Sequence, residues 1–195
     1  ETEQSKAAQI RLEHEYNIVQ QLDISGVLAA IEYRKSNQHS TIVFPNVNAI
    51  SLRKWMTIER PSFDRRLTCA THIASVLGQI HEAHIIHKQI SPDNILIEPN
   101  TGQIWIIDFA LSSRLQREHP SSHASLNEKQ NLTYISPEQT GRINRVIDYR
   151  SDYYGLGATF YELFTGSPPF ESKDNLELIH CHLARQPVEP YIQNT

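Results

Sequence analysis

The stretch His87-Lys88-Gln89-Ile90-Ser91-Pro92-Asp93-Asn94 decides how the rest of the chain is read. It is polar, carries one proline, and stands between two regular patterns. Before it, Phe63, Leu67, Ala70, Ile73, Ala74, Leu77 and Ile80 recur at helical spacing, with Pro61 as a favoured first-turn residue. After it come two β-rich runs, 94–98 and 103–107, around Pro99-Asn100-Thr101-Gly102, which predicts a hairpin. The hairpin runs into Ile106-Ile107-Asp108-Phe109-Ala110, and a polar stretch of roughly 25 residues follows as far as Ser136, a length usual only for functional or mobile loops.

Further upstream, Ile10, Leu12, Tyr16, Ile18, Val19 and Leu22 predict an amphipathic helix from Thr2 to about Leu22. Runs at 27–33 and 41–44, split by Ser36-Asn37-Gln38, predict a second hairpin, and Ser51 caps a short helix through Trp55. Downstream, helices are expected over 148–165 and 173–184. The order is a helix, a small antiparallel sheet and a mainly helical second half, an α+β class.

Composition narrows the function. The chain has 195 residues, enough for one domain with a substantial core, and 18 Lys+Arg against 22 Asp+Glu give a net charge of −4. That balance gives no reason to expect a nucleic-acid partner. The longest apolar runs, such as 27–31, are far too short to span a bilayer. Cys69 and Cys181 make no disulfide framework and fit a reducing, cytoplasmic setting. No signal peptide opens the chain, and its only methionine is Met56, so it reads as a piece of something longer.

The motifs, taken together, resemble the protein kinase domain. His87 to Asn94 has the spacing of the catalytic loop His-Arg-Asp-x-x-x-x-Asn, Asp108-Phe109-Ala110 stands for Asp-Phe-Gly, and Ser136-Pro137-Glu138 resembles Ala-Pro-Glu. Ser151-Asp152-Tyr153-Tyr154-Gly155-Leu156-Gly157 looks like the start of the central helix of the larger lobe. The stretch from Gln139-Thr140-Gly141-Arg142 to Ile147-Asp148-Tyr149-Arg150 narrows the likeness to serine/threonine-kinase-like domains at the N-terminus of bacterial multidomain sensor proteins. Those proteins continue into an ATPase-like region, GAF domains and a histidine kinase.

The resemblance implies a protein-kinase-like fold: a partial small N-lobe with an antiparallel sheet over 1–45 and a mainly helical C-lobe over 46–195. It places a glycine-rich loop and a strand lysine before residue 1, and the last C-lobe helices beyond Thr195. It also implies ATP and Mg²⁺ in the complete domain, with weak or absent binding by this chain alone. Asn94 and Asp108 fall at the metal positions, as hard oxygen ligands suited to Mg²⁺; on residue pattern alone both could be turn residues beside a hairpin. Glu15 falls at the helix glutamate that pairs with the strand lysine, with Glu13 as its competitor. Val43, Phe44 and Asn46 match the hinge that meets the adenine edge, where Pro45 lacks an N–H donor. Leu96 and Ile107 would line the adenine floor.

The departures from the family pattern meet at one place. Gln89 stands at the catalytic aspartate, and an amide has no carboxylate to take a hydroxyl proton, a function worth about 10² to 10⁴ in rate. Ser91 replaces the lysine two residues on, Asn131 the threonine that links the activation segment to both, and Ala110 a glycine. Lys88 replaces arginine and lacks its fork, which makes Ser121, Ser122, Ser125 and Thr133 poor activating phosphosites. These changes point to a degenerate domain that binds a partner or nucleotide and regulates the attached sensor modules; an active kinase with Asp93 as substitute base and a purely structural relic are the rivals. Asp152 and Glu138 are expected in structural roles. His81, His84 and His87 suggest packing and backbone bonds in preference to zinc.

Overall fold

The computed structural model describes residues 3–36, 40–114 and 131–193. Helix α1 (Glu3–Val19) buries Ile18 and Val19, with Leu22 in the turn beyond it, and stacks Tyr16 on Tyr33 at 5.4 Å. The expected first hairpin is shifted. Strand β1 is Glu32–Lys35 and pairs antiparallel with β2 (Ser40–Val43), Glu32 opposite Val43. Residues 27–31 are not a strand: Val27 makes one parallel bridge to Ile106, and Val27 and Ala30 turn into the core. The cause is Gly26, whose backbone lies so close to α3 that a Cβ would stand 2.2 Å from Val76. The Gly26 carbonyl there accepts from the Ile106 N–H at 2.9 Å. Most of the turn expected around Asn37 lies outside the described residues.

Strands β3 (Ile50–Ser51), β4 (Ile95–Ile97) and β5 (Ile104–Ile106) form an antiparallel sheet in that order, with Ile95 opposite Ile106, so the second hairpin stands as expected. Ser51 caps α2 (Leu52–Glu59), accepting from the Lys54 N–H, and the helix runs one turn further than Trp55. Helix α3 (Phe63–Glu82) is capped by Ser62, which puts Pro61 before the cap and outside the first turn. Of its stripe, Ala70, Ile73, Leu77 and Ile80 are buried, joined by Cys69 and Val76, whereas Phe63, Leu67 and Ala74 are exposed. Phe63 lies beyond the core and packs on Phe164 at 5.6 Å.

The end of α3 aims the chain at the decisive loop. His84 takes φ +59°, the Ile85 N–H donates to Ile80 and the His84 N–H to His81, the pairing of a Schellman closure. Helices α4 (Tyr149–Thr165), α5 (Asn175–Ala184) and α6 (Pro190–Gln193) complete the structure. Asp148 and Asp174 cap α4 and α5, each accepting from the N–H two residues on. The core is one cluster running from Ile18 and Val27 through Leu52, Trp55 and Ile73 to Leu163. Gly155 of α4 lets the loop approach closely, because a Cβ there would lie 2.9 Å from the Ile90 carbonyl. Among the described residues, no helix is long and apolar enough to cross a membrane.

Candidate active site

Asp152 holds the backbone of the loop. Its carboxylate accepts from the His87 N–H at 2.8 Å, the Lys88 N–H at 2.6 Å and the His81 Nε2 at 2.8 Å. Lys88 sits at φ +70°, and its carbonyl accepts from the Gln139 side chain at 2.8 Å. His87 is fully buried; burial lowers its pKa, and the ring is neutral. Its Nδ1 accepts from the Gln89 N–H, so Nε2 carries the proton and donates to the Ile107 carbonyl at 3.0 Å. The ring also packs edge-on against Phe109 at 4.7 Å. Glu138 accepts from the Ser151 hydroxyl at 2.6 Å. Among the described residues, no group of three His, Cys, Asp or Glu side chains converges on a metal position.

An apolar cleft of about 400 Å³ has walls that include Glu15, Phe44, Asn46, Leu96, Ile107 and Asp108. Val43 is not among them: it lies on β2, and its carbonyl accepts from Ile31 at 2.7 Å. Pro45 and Val47 line the cleft between and beside the expected hinge residues. The Asn94 side chain donates to the Gln89 carbonyl at 2.9 Å, and the Ile107 N–H donates to the Asn94 carbonyl, which ties Asn94 to the residue before Asp108. Asp108 has φ +68°. Ala110 is outside the left-handed region, so its Cβ meets no backbone strain; the positive φ falls two residues earlier, at Asp108.

Glu15, not Glu13, belongs to this cleft. Its Oε1 accepts from the Phe109 N–H at 3.2 Å, while Glu13 pairs with Lys35 at 3.2 Å on the surface. Burial pushes the Glu15 carboxyl up to about 7, the Asp108 charge adds to the rise, and the Phe109 N–H opposes it. Beside it the His14 ring binds the Ser112 carbonyl at 2.8 Å, and Arg114 donates to Gln21, so α1 is fastened to the segment after Asp108.

The loop itself lines a different, much smaller space. Gln89, Ser91, Asn94 and Asn131 share the lining of a cavity of about 20 Å³, the size of a single water, so all four positions are brought together. The Gln89 Oε1 is buried with no hydrogen-bond partner. Asn131 caps the 3-10 turn Leu132–Tyr134, accepting from the Thr133 N–H at 3.1 Å, and its amide reaches Asp93 at 3.5 Å. Asp93 is engaged by Arg53, which donates to both its oxygens at 2.7 and 3.0 Å. Arg53 also donates to Glu162 and to the Tyr134 hydroxyl, each at 2.7 Å, and Tyr134 donates to Glu162. Sequence reading missed Arg53, Tyr134 and Glu162. Only the charge of Arg53 near a capped helix start hinted at a role, since its partners lie 40 to 109 positions away.

Comparison with known proteins agrees with this geometry. The protein kinase domain family matches residues 1–192. A probable serine/threonine-protein kinase of Corynebacterium efficiens is 32% identical over 150 residues, 76% of this chain and 22% of that protein. The serine/threonine-protein kinase PknB of Mycolicibacterium smegmatis is 30% identical over 150 residues, 76% of this chain and 24% of that protein. The hybrid signal transduction histidine kinase G of Dictyostelium discoideum is 59% identical over 54 residues, 28% of this chain and 2% of that protein. The chain spans about a quarter or less of the length of these relatives. An Asp-anchored loop, a cleft closed by the Asp108 turn and a helical body behind them go with that match over nearly all its length: the chain belongs to the protein kinase domain family.

Proposed function

We propose that this is a signalling domain of the protein kinase family whose phosphoryl transfer is impaired and whose role is regulatory. Gln89 carries the reading. Its buried, unpartnered amide oxygen cannot take up a hydroxyl proton, and Asp93, the substitute base considered above, has both oxygens engaged by Arg53. The partners in this reading are a protein substrate or the sensor and histidine-kinase modules of one longer cytoplasmic chain. The match of 54 residues to a hybrid histidine kinase supports that setting.

The cleft fits Mg·ATP. Glu15 and Asp108 put two carboxylates at its edge; burial raises Glu15 most, and the Asp108 charge adds a part that a cation would relieve. Asp108 and Asn94 would hold the metal, which when bound neutralises phosphate charge during transfer. Phe44, Asn46, Leu96 and Ile107 would enclose the base, Asn94 is fixed by the Gln89 carbonyl, and Phe109 shields the floor. Affinity for Mg·ATP by this chain alone is weak or absent in our reading; a calorimetric titration giving micromolar affinity would refute it.

The second reading, an active serine/threonine kinase, is favoured by the intact pair Asn94 and Asp108. Phosphotransfer in a chain carrying the glycine-rich loop and strand lysine separates the two. Gln89→Asp with Ser91→Lys and Asn131→Thr should raise the rate by at least about 10², and Gln89→Asp alone only modestly, because such groups act as a unit. A parent turning over at about 1 s⁻¹ would establish the active reading.

A further inference from the structure

A second cleft, of about 270 Å³, lies between the first half of α3 and the turn that joins β4 to β5. It shares no wall residue with the cleft beside Asp108. Strand β4 separates the two, Leu96 lining one and Ile97 the other, as neighbouring strand positions on opposite faces should. The floor is Trp55, Cys69 and Ile97, all buried. The rim is exposed and carries both signs of charge, with Asp64 and Arg65 adjacent on α3.

The polar groups of this wall have partners, with one exception. The Arg65 guanidinium donates to the Pro99 carbonyl at 2.9 Å, the Thr68 hydroxyl to the Asp64 carbonyl at 2.9 Å, and His72 Nδ1 lies 3.4 Å from the Gly102 carbonyl. Glu98 accepts from the Asn100 and Thr101 N–H groups, which closes the turn on itself. The exception is Trp55 Nε1, among the described residues the one buried side-chain polar atom of this wall without a hydrogen bond. An indole N–H only donates, and a buried donor left unmet is costly, so what the wall lacks is an acceptor. The Arg65 guanidinium lies over the indole, 5.4 Å from its ring centre, on a half-exposed side chain. Pro99 and, at 4.0 Å, Glu59 hold it there, so it can swing into solvent without moving α3.

We propose that this cleft binds a neutral, single-ring small molecule bearing a carbonyl, which enters as Arg65 swings aside and accepts from the Trp55 N–H. The volume suits one ring, slightly below the range of drug-sized pockets. Asp64 and Arg65 offset each other, which leaves no net field to favour an ion. Benzamide is the probe, with benzylamine, which lacks the acceptor, and benzoate, which adds a charge, as controls. The chain has two tryptophans, so two indole N–H resonances report, and Trp105→Phe assigns them. Benzamide should move the Trp55 resonance downfield in a saturable way and leave that of Trp105 in place; benzylamine should move neither, and benzoate should bind more weakly. Arg65→Ala should tighten benzamide severalfold, and Trp55→Phe should weaken it about tenfold, the worth of one buried hydrogen bond. A stationary Trp55 resonance, equal effects of benzamide and benzylamine, tighter binding of benzoate, or no gain from Arg65→Ala overturns the site. Should Trp55→Phe not fold, the Trp55 resonance of the parent chain decides. No outcome depends on nucleotide or phosphotransfer, so the site stands or falls apart from the reading of the Asp108 cleft.

Discussion

Residues 85–94 carry two kinds of group, and the two have fared differently. Those that face α4 and Gln139 are held: the His87 and Lys88 N–H groups on Asp152 and the Lys88 carbonyl on Gln139, with the Ile90 carbonyl close against Gly155. Those that line the small cavity on the other side carry no charge, with Gln89 holding an unpartnered oxygen and Ser91 beside it. The backbone frame and the reactive side chains are thus separable. The frame is held by burial and hydrogen bonds that stability requires, whereas a side chain without a partner contributes little to folding.

The sharpest way to break this comparison is to remove a frame residue. Asp152→Ala leaves two backbone N–H groups without an acceptor and should cost about 4 kcal/mol in chemical denaturation, while Gln89→Ala should cost less than about 1 kcal/mol. Similar losses at both positions would erase the distinction.

Glu15 tests the cleft side. Unfolded, it ionises near 4.5; folded, at about 7. Between those values the folded protein keeps a proton that the unfolded chain releases, so this contribution to stability falls as pH rises from about 4.5 to about 7, by up to about 3 kcal/mol. Glu15→Gln should flatten that slope and be the more stable protein at pH 8; an unchanged slope would show that the carboxylate is not held in the buried setting described.

A smaller contrast lies within α4. Gly155→Ala should lose about 1–3 kcal/mol by pressing on Ile90, and Gly157→Ala, with nothing within 4 Å of its Cβ position, should gain about 0.5–1 kcal/mol from helix propensity. Equal effects would mean that the loop does not rest on α4.

The most local contrast is between the two ends of the chain. Hydrogen exchange should protect 63–80 and 149–165 above 3–43, where β1 and β2 form only a two-stranded sheet. Equal protection would contradict the division into lobes.

Much of this arrangement was legible because it is local. The hairpin Ile95–Ile97 and Ile104–Ile106, the cap at Ser51, and the spacing from His87 to Asn94 each fall within a few residues of one another. The run at 27–33 misled because an apolar stretch pulled inward by a glycine contact reads like a strand. The cage around Arg53 was hidden for another reason: positions 53, 93, 134 and 162 meet only after four segments have folded, and no periodicity connects them. Ala110 drew attention by its difference from glycine, yet a departure from pattern does not reveal which neighbouring residue carries the positive φ.

Asp108 carries that angle, at φ +68°, and the residue that offers a carboxylate to the cleft is therefore also the pivot on which the chain turns. Asparagine tolerates the left-handed region far better than alanine. Asp108→Asn consequently erases the charge and leaves the pivot, whereas Asp108→Ala disturbs both. An experimenter who compares the pair can read ligand chemistry and segment posture as two separate signals from a single codon.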